Sequence, residues 1–183
     1  MCPKVKFAPR REYALVYASS PETTLYESNT ASQFFNDDDM ENKDLKIFLV
    51  DDNELFAYML AESLTHQYGF EIRVFHRGED MLPHMEERPD IILLDYQLNS
   101  LYLDSLNGGQ ILKLVKKFPF HTYVVMVSSH EDLENSLRLL ELGASDYIFK
   151  NTECVEQTAK TLLQLKELIY LKKKARKSPS SLL

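Results

Sequence analysis

Five short apolar runs recur along the chain: LKIFLV (45–50), FEIRVF (70–75), DIILLD (90–95), TYVVMV (122–127) and SDYIF (145–149). Short apolar runs that stop on polar residues read as strands buried in a parallel sheet covered on both faces. Each is followed by a stretch with helical character. Residues 53–68 place Leu55, Tyr58, Met59, Leu64 and Tyr68 at helical spacing, and Gly69 follows as glycine does past a helix C-terminus. Residues 78–88 predict a short helix that tolerates Pro83 near its first turn. Asn107-Gly108-Gly109 opens a helix over 109–118, with Gln110 completing a capping-box pattern. A fourth helix spans 131–144 and closes on Gly143, and a fifth, opened by the capping types Asn151 and Thr152, runs from about 153 to 172.

Strand and helix alternate five times. That order predicts an α/β fold, a doubly wound five-stranded parallel sheet with right-handed crossovers. Strands one and three should meet at the switch in strand order, where the carboxyl ends of the strands form a crevice. Residues 45–171 account for this domain. Residues 1–44 are polar, turn-rich and end in the acidic run NDDDMENKD, which predicts a disordered extension; a short strand or dimer arm over 12–17 is the alternative. Residues 172–183 predict a basic, flexible tail.

Composition narrows the class. The chain has 183 residues and a formal net charge of −7, which argues against nonspecific nucleic-acid binding by the whole chain. Its two cysteines, Cys2 and Cys154, make no disulfide framework, which points to a reducing, cytoplasmic setting. No apolar stretch is long enough to cross a bilayer, and the N-terminus lacks the apolar run of a secretory signal. None of the histidines shows metal-site spacing.

The chemistry gathers at the strand ends. Strand one ends on Asp51 and Asp52, strand three on Asp95, strand four on Ser128 and strand five on Lys150. In a parallel sheet these ends point the same way, so three carboxylates, a hydroxyl and an ammonium converge. Adjacent carboxylates repel and need a cation, and a hard divalent ion such as Mg2+ prefers oxygen ligands. A carboxylate can attack phosphorus and form an acyl phosphate. That attack opposes negative charges and calls for a metal and a cation on the transferring oxygens. Asp51 and Asp52 can hold Mg2+, Asp95 can attack, and Lys150 and Ser128 can bind phosphoryl oxygens.

With VDDN (50–53), DIILLD (90–95), NGGQIL (107–112), VVMVSS (124–129) and GASDYIFK (143–150), the chain resembles a response-regulator receiver domain of two-component signalling. The resemblance implies the flavodoxin-like strand order 2-1-3-4-5. It implies Asp95 as phosphoacceptor and Mg2+ held by Asp51, Asp52, Asp95 and the backbone carbonyl of Gln97. Ser128 takes the switch hydroxyl position and Tyr147 the switch aromatic. The phosphoryl then reshapes the face of helix four, strand five and helix five. The implied donor is a histidine kinase or phosphotransfer protein in a phosphorelay, and the chain is a phosphoacceptor that turns over no external substrate.

Three features depart from the family. Asn99 stands where a proline is usual, the loop to Gly108 is about five residues longer, and Lys150 precedes Asn151 instead of proline. A cis bond before a non-proline residue costs about 2.5–4 kcal/mol, so a trans Lys150–Asn151 bond or a local rearrangement is expected. Gln97 and His130, two residues beyond Asp95 and Ser128, would tune the phosphoryl lifetime by analogy.

Simpler roles stand beside these. Asp51 and Asp52 fit a helix N-cap, Ser128 with Glu131 fits a capping box, Lys150 fits a structural ion pair and Tyr147 a core position. Cys154 in a first helical turn fits a plain helical position, with a lowered thiol pKa as the alternative. Too few residues follow Lys150 for a DNA-binding domain, which leaves a stand-alone receiver that signals by binding a downstream protein. Leu168 and Leu171 exceed what the core needs and suit a homodimer or partner contact. One rival is a phosphorylation-independent interaction module on the same fold. An aspartyl phosphatase is another, but Asn53 and Glu54 replace the Asp-x-Asp pattern that chemistry uses.

Overall fold

The computed structural model describes residues 45–98, 105–129 and 132–177. The expectations for residues 1–44, for Asn99 and His130, and for the chain after 177 lie outside the described residues.

Five parallel strands form one sheet in the order β2-β1-β3-β4-β5: β1 (Ile47–Val50), β2 (Ile72–Phe75), β3 (Ile91–Asp95), β4 (Tyr123–Ser128) and β5 (Asp146–Phe149). The helices are α1 (Glu54–Tyr68), α2 (Gly78–Met81), α3 (Gly108–Val115), α4 (Leu133–Glu141) and α5 (Cys154–Lys177). The expected order and fold class are those observed.

The pleat sorts side chains by parity. Ile47, Leu49, Ile91, Leu93, Val125, Val127 and Ile148 pack on one face with Leu60 and Leu64 of α1 and Leu162 and Ile169 of α5. Phe48, Val50, Ile92, Leu94, Val124 and Met126 pack on the other with Met81 of α2, Ile111 and Leu112 of α3, and Leu139 of α4. Continued to the strand ends, the same alternation carries Asp51, Asp95 and Lys150 toward the α1/α5 side, and Ser128 and Tyr147 toward the α3/α4 side.

Helix boundaries follow local chemistry. Asn53 caps α1 by accepting the Phe56 N–H, and Gly69 ends it in the left-handed region at φ 74°. Asn107 and Gln110 form the reciprocal capping box of α3. Three expectations need correction. The helix over 78–88 is one α-turn that passes into a 3-10 helix over Leu82–Glu87. Pro83 lacks an N–H, and its ring crowds the carbonyl four residues earlier, so the α-pattern cannot continue. α4 is capped by Asp132, which accepts the Glu134 N–H, so Ser128 is not its cap. α5 continues to Lys177, past the expected start of a tail at 172. Its last turns are anchored, with Lys172 Nζ donating to the Tyr123 hydroxyl at 2.7 Å and Lys173 Nζ paired with Asp90 at 2.8 Å.

Candidate functional site: an acidic crevice at the carboxyl end of the sheet

β1 delivers Asp51 and Asp52 to the carboxyl edge, where the Asp51 N–H bonds the Phe75 carbonyl of β2 at 3.0 Å. Asp51 Oδ1 accepts the Asn53 N–H at 3.0 Å, which turns the chain into α1. Asn53, and neither aspartate, caps that helix, so both carboxylates remain for the crevice.

Asp95 ends β3 beside Val127 of β4. The α3 N-terminus is pressed against it: the Gly108 N–H donates to the Tyr96 carbonyl at 2.8 Å. A Cβ at Gly108 would run into the Asp95 carbonyl and the Tyr96 backbone, so only glycine permits this approach.

Asp51, Asp52 and Asp95 each offer a carboxylate oxygen within 4.8 Å of the others, and all three are buried. Lys150 reaches in from the end of β5, its backbone N–H fixed on the Ser128 carbonyl at 2.8 Å. Lys150 Nζ lies 2.7 Å from Asp51 Oδ2 and 3.0 Å from Asp95 Oδ2. The contact with Asp51 is a close ion pair without hydrogen-bond alignment, and Asp95 Oδ1 is buried with no hydrogen-bond partner among the described residues. No peptide bond among the described residues is cis, so Lys150 is delivered through a trans bond to Asn151. The Asn151 side chain accepts the Glu153 N–H at 2.9 Å and leads the chain into α5.

Burial dominates the electrostatics. It pushes the Asp51 carboxyl up to about 6, with Lys150 opposing and Asp95 reinforcing the rise. Burial also raises Asp95, opposed by Lys150 and the Gln97 N–H. One ammonium is too little positive charge for this cluster. The donor set is all oxygen, preformed and buried, with Asp51 Oδ2 and Asp95 Oδ1 lacking a hydrogen-bond partner among the described residues, which fits a hard divalent cation such as Mg2+.

Ser128 and Tyr147 flank the acids on the other sheet face. Ser128 is fully buried and shares a side-chain hydrogen bond with the Tyr147 phenol, whose pKa burial raises. The Tyr147 ring packs edge-on to Phe149. The site residues expected from the sequence thus come to one edge. Gln97 is there too, its side-chain oxygen accepting the Ser129 hydroxyl at 3.3 Å.

Phe56 was not anticipated. Its ring centroid lies 4.5 Å from Lys150 Nζ. The signal lies in the sequence: Phe56 is in the first turn of the helix that follows the acidic pair, so its ring can turn back over the crevice. Cys154 is buried and burial raises its thiol, which fits the plain helical position and not the lowered pKa.

A model of the response regulator receiver domain matches residues 47–162. The chain belongs to the receiver domain family. Regulatory protein VanRc of Enterococcus gallinarum is 30% identical over 122 residues, covering 66% of this chain and 50% of that protein. Transcriptional regulatory protein CpxR of Escherichia coli (strain K12) is 33% identical over 105 residues, covering 57% and 42%. The chain thus spans about half or less of the length of these curated relatives. Among solved structures, the receiver domain of NtrX from Brucella abortus is similar at TM-score 0.59 and 26% identity, covering 66% of this chain and 98% of that one. The receiver domain of RstA from Klebsiella pneumoniae, described as BeF3-activated, matches at TM-score 0.56 and 27% identity, covering 65% and 97%. No helix among the described residues of this receiver is long and apolar enough to cross a membrane.

Proposed function

We propose that this receiver accepts a phosphoryl group on Asp95 from a histidine kinase or phosphotransfer protein, in a Mg2+-dependent phosphorelay. The observation that carries the reading is Lys150 Nζ between Asp51 and Asp95, at 2.7 and 3.0 Å, in a buried carboxylate cluster. In the transfer, a carboxylate oxygen of Asp95 bonds to phosphorus as the bond from phosphorus to the donor nitrogen breaks. The electron pair leaves with the donor imidazole. Lys150 stays within reach of a phosphoryl oxygen and offsets its charge, and the buried Ser128 hydroxyl supplies a hydrogen bond. Asp51, Asp52, Asp95 and the Gln97 carbonyl would hold Mg2+. Bound there, it supplies the positive charge that the crevice lacks while a dianionic group approaches.

The output is a change at the face of α4, β5 and α5. Ser128 is tied to Tyr147 by a hydrogen bond, so a phosphoryl that claims the Ser128 hydroxyl changes what holds the Tyr147 ring. Leu133, Leu137 and Leu140 stand exposed along α4, and Leu168 and Leu171 along α5, which suits a downstream protein or a second copy of the chain.

Incubation with a small phosphodonor and Mg2+, followed by intact mass, tests the reading. The expected result is a gain of one phosphoryl that Asp95→Asn abolishes. No gain, together with no shift of Tyr147 or α4 resonances on adding beryllofluoride and Mg2+, would instead favour a phosphorylation-independent interaction module.

A further inference from the structure

At the amino end of the sheet, opposite the acidic crevice, the extended C-terminal turns of α5 and the starts of β3 and β4 enclose a groove of about 520 Å3. Its walls include His121, Tyr123, Ile169, Lys172 and Arg176, and among the described residues its one carboxylate is Asp90. Asp90 is already engaged: one oxygen accepts Lys173 Nζ at 2.8 Å and the other the Lys46 N–H at 3.1 Å. Lys172 Nζ donates to the Tyr123 hydroxyl at 2.7 Å and lies 5.2 Å from the centroid of its ring, and neither Lys172 nor Arg176 has an ion pair among the described residues. Among the described residues the groove is therefore cationic, in a chain of net charge −7.

We infer that this groove binds a soluble phosphomonoester with an aromatic or apolar body, of mononucleotide size, between Lys172, Arg176 and His121. Two cations without an ion pair among the described residues match a phosphate monoester, which carries close to two negative charges at neutral pH. Arg176 can grip two phosphate oxygens at once, and Lys172 adds a point charge. The His121 ring packs edge-on to Tyr123 at 4.5 Å. Burial, with the nearby cations of Lys116, Lys172 and Arg176, lowers the His121 pKa, and its ring lines the groove. Tyr123 and Ile169, both buried, supply the apolar wall. The volume is that of a small-molecule site, well beyond what a bare ion fills. The groove owes its basic wall to the last turns of α5 and does not depend on the phosphoacceptor reading.

The test uses the full chain in EDTA, where the metal-free acidic crevice repels phosphate. Adenosine monophosphate, adenosine and inorganic phosphate are titrated while the His121 and Tyr123 resonances are followed. The monophosphate is expected to shift both, at least tenfold more tightly than adenosine or inorganic phosphate. Lys172→Ala with Arg176→Ala should weaken it at least tenfold, and Arg176→Ala alone, which removes no contact seen in the fold, by severalfold. Lys160→Ala with Lys166→Ala removes the same charge elsewhere on α5 and should leave binding unchanged. Absence of a His121 shift at millimolar monophosphate, equal loss in both double variants, or equal binding of inorganic phosphate would overturn the assignment. So would co-sedimentation with phosphatidate vesicles that the Lys172/Arg176 double variant abolishes, since the ligand would then be a lipid headgroup.

Discussion

Lys150 Nζ stands 4.5 Å from the centroid of the Phe56 ring while it pairs with Asp51 and Asp95. The ammonium is thus held by two carboxylates and by an aromatic face. A cation–π contact of this kind contributes about 0.5–2 kcal/mol. Phe56→Leu removes the face and keeps an apolar side chain. The rate of Asp95 labelling by a small phosphodonor should fall by about 2- to 30-fold. Phe56→Tyr retains the ring and should stay within about twofold of wild type. Equal rates for Leu and Tyr would mean that the ring only fills space.

Removing the ammonium itself should cost more. Lys150→Ala leaves Asp51 and Asp95 buried and without their shared cation. Labelling of Asp95 should drop by about 100-fold or more, as when a donor to developing negative charge is lost. The acyl phosphate count by intact mass at fixed time reads this directly. Labelling at the wild-type rate would show that Lys150 is a structural ion pair and no part of the transfer.

The raised carboxyl of Asp51 gives the metal-free protein an inverted acid response. Its folded pKa is about 6, above its ordinary value of 3.8, with burial as the main cause. A proton therefore binds the folded form more tightly than the unfolded one. The resulting stability is fully present below about pH 4 and is lost as pH rises through 6. The gap corresponds to about 3 kcal/mol at most, and Asp95 is shifted in the same direction. In EDTA, Tm should fall by several degrees between pH 5 and pH 7, and Mg2+ at pH 7 should recover it. In Asp51→Asn much of that slope should vanish. An identical slope in wild type and variant would remove Asp51 as its source.

The sheet and its acidic edge were legible because both rest on strong local signals. The strand runs end abruptly on Asp51, Asp95, Ser128 and Lys150, and parallel order alone brings such ends together. What was not legible depends on distant packing. Nothing local says that α5 persists to Lys177; Tyr123 and Asp90, far away in the chain, anchor Lys172 and Lys173. The same contacts build the basic groove, so His121 looked ordinary in the sequence. Pro83 looks tolerable in the sequence, yet it changes the helix type because it falls after the first turn. The α4 cap passed to Asp132 because the helix begins at Leu133, two residues later than its apolar pattern suggested.

Two adjacent glycines make opposite predictions about the α3 junction. A methyl at Gly108 would overlap the Asp95 carbonyl and the Tyr96 backbone, neither of which can rotate away. Gly108→Ala must therefore push α3 outward or twist the end of β3, at a cost of about 3 kcal/mol or more. That is a Tm drop of roughly 10 °C. The same shift moves Asp95 relative to Lys150, so labelling of the folded fraction should also slow. At Gly109 the nearest neighbours lie at 3.4 Å, the Asn107 side-chain oxygen and a Leu139 methyl, and both are ends of side chains. Gly109→Ala also gains helix propensity, so its stability should change by less than about 1 kcal/mol. Thermal melts of the two variants, with Asp95 labelling on each, separate a crowded backbone from a general intolerance of the turn. If Gly109→Ala proved as damaging as Gly108→Ala, the close approach of α3 to Asp95 would not be the reason for the glycine.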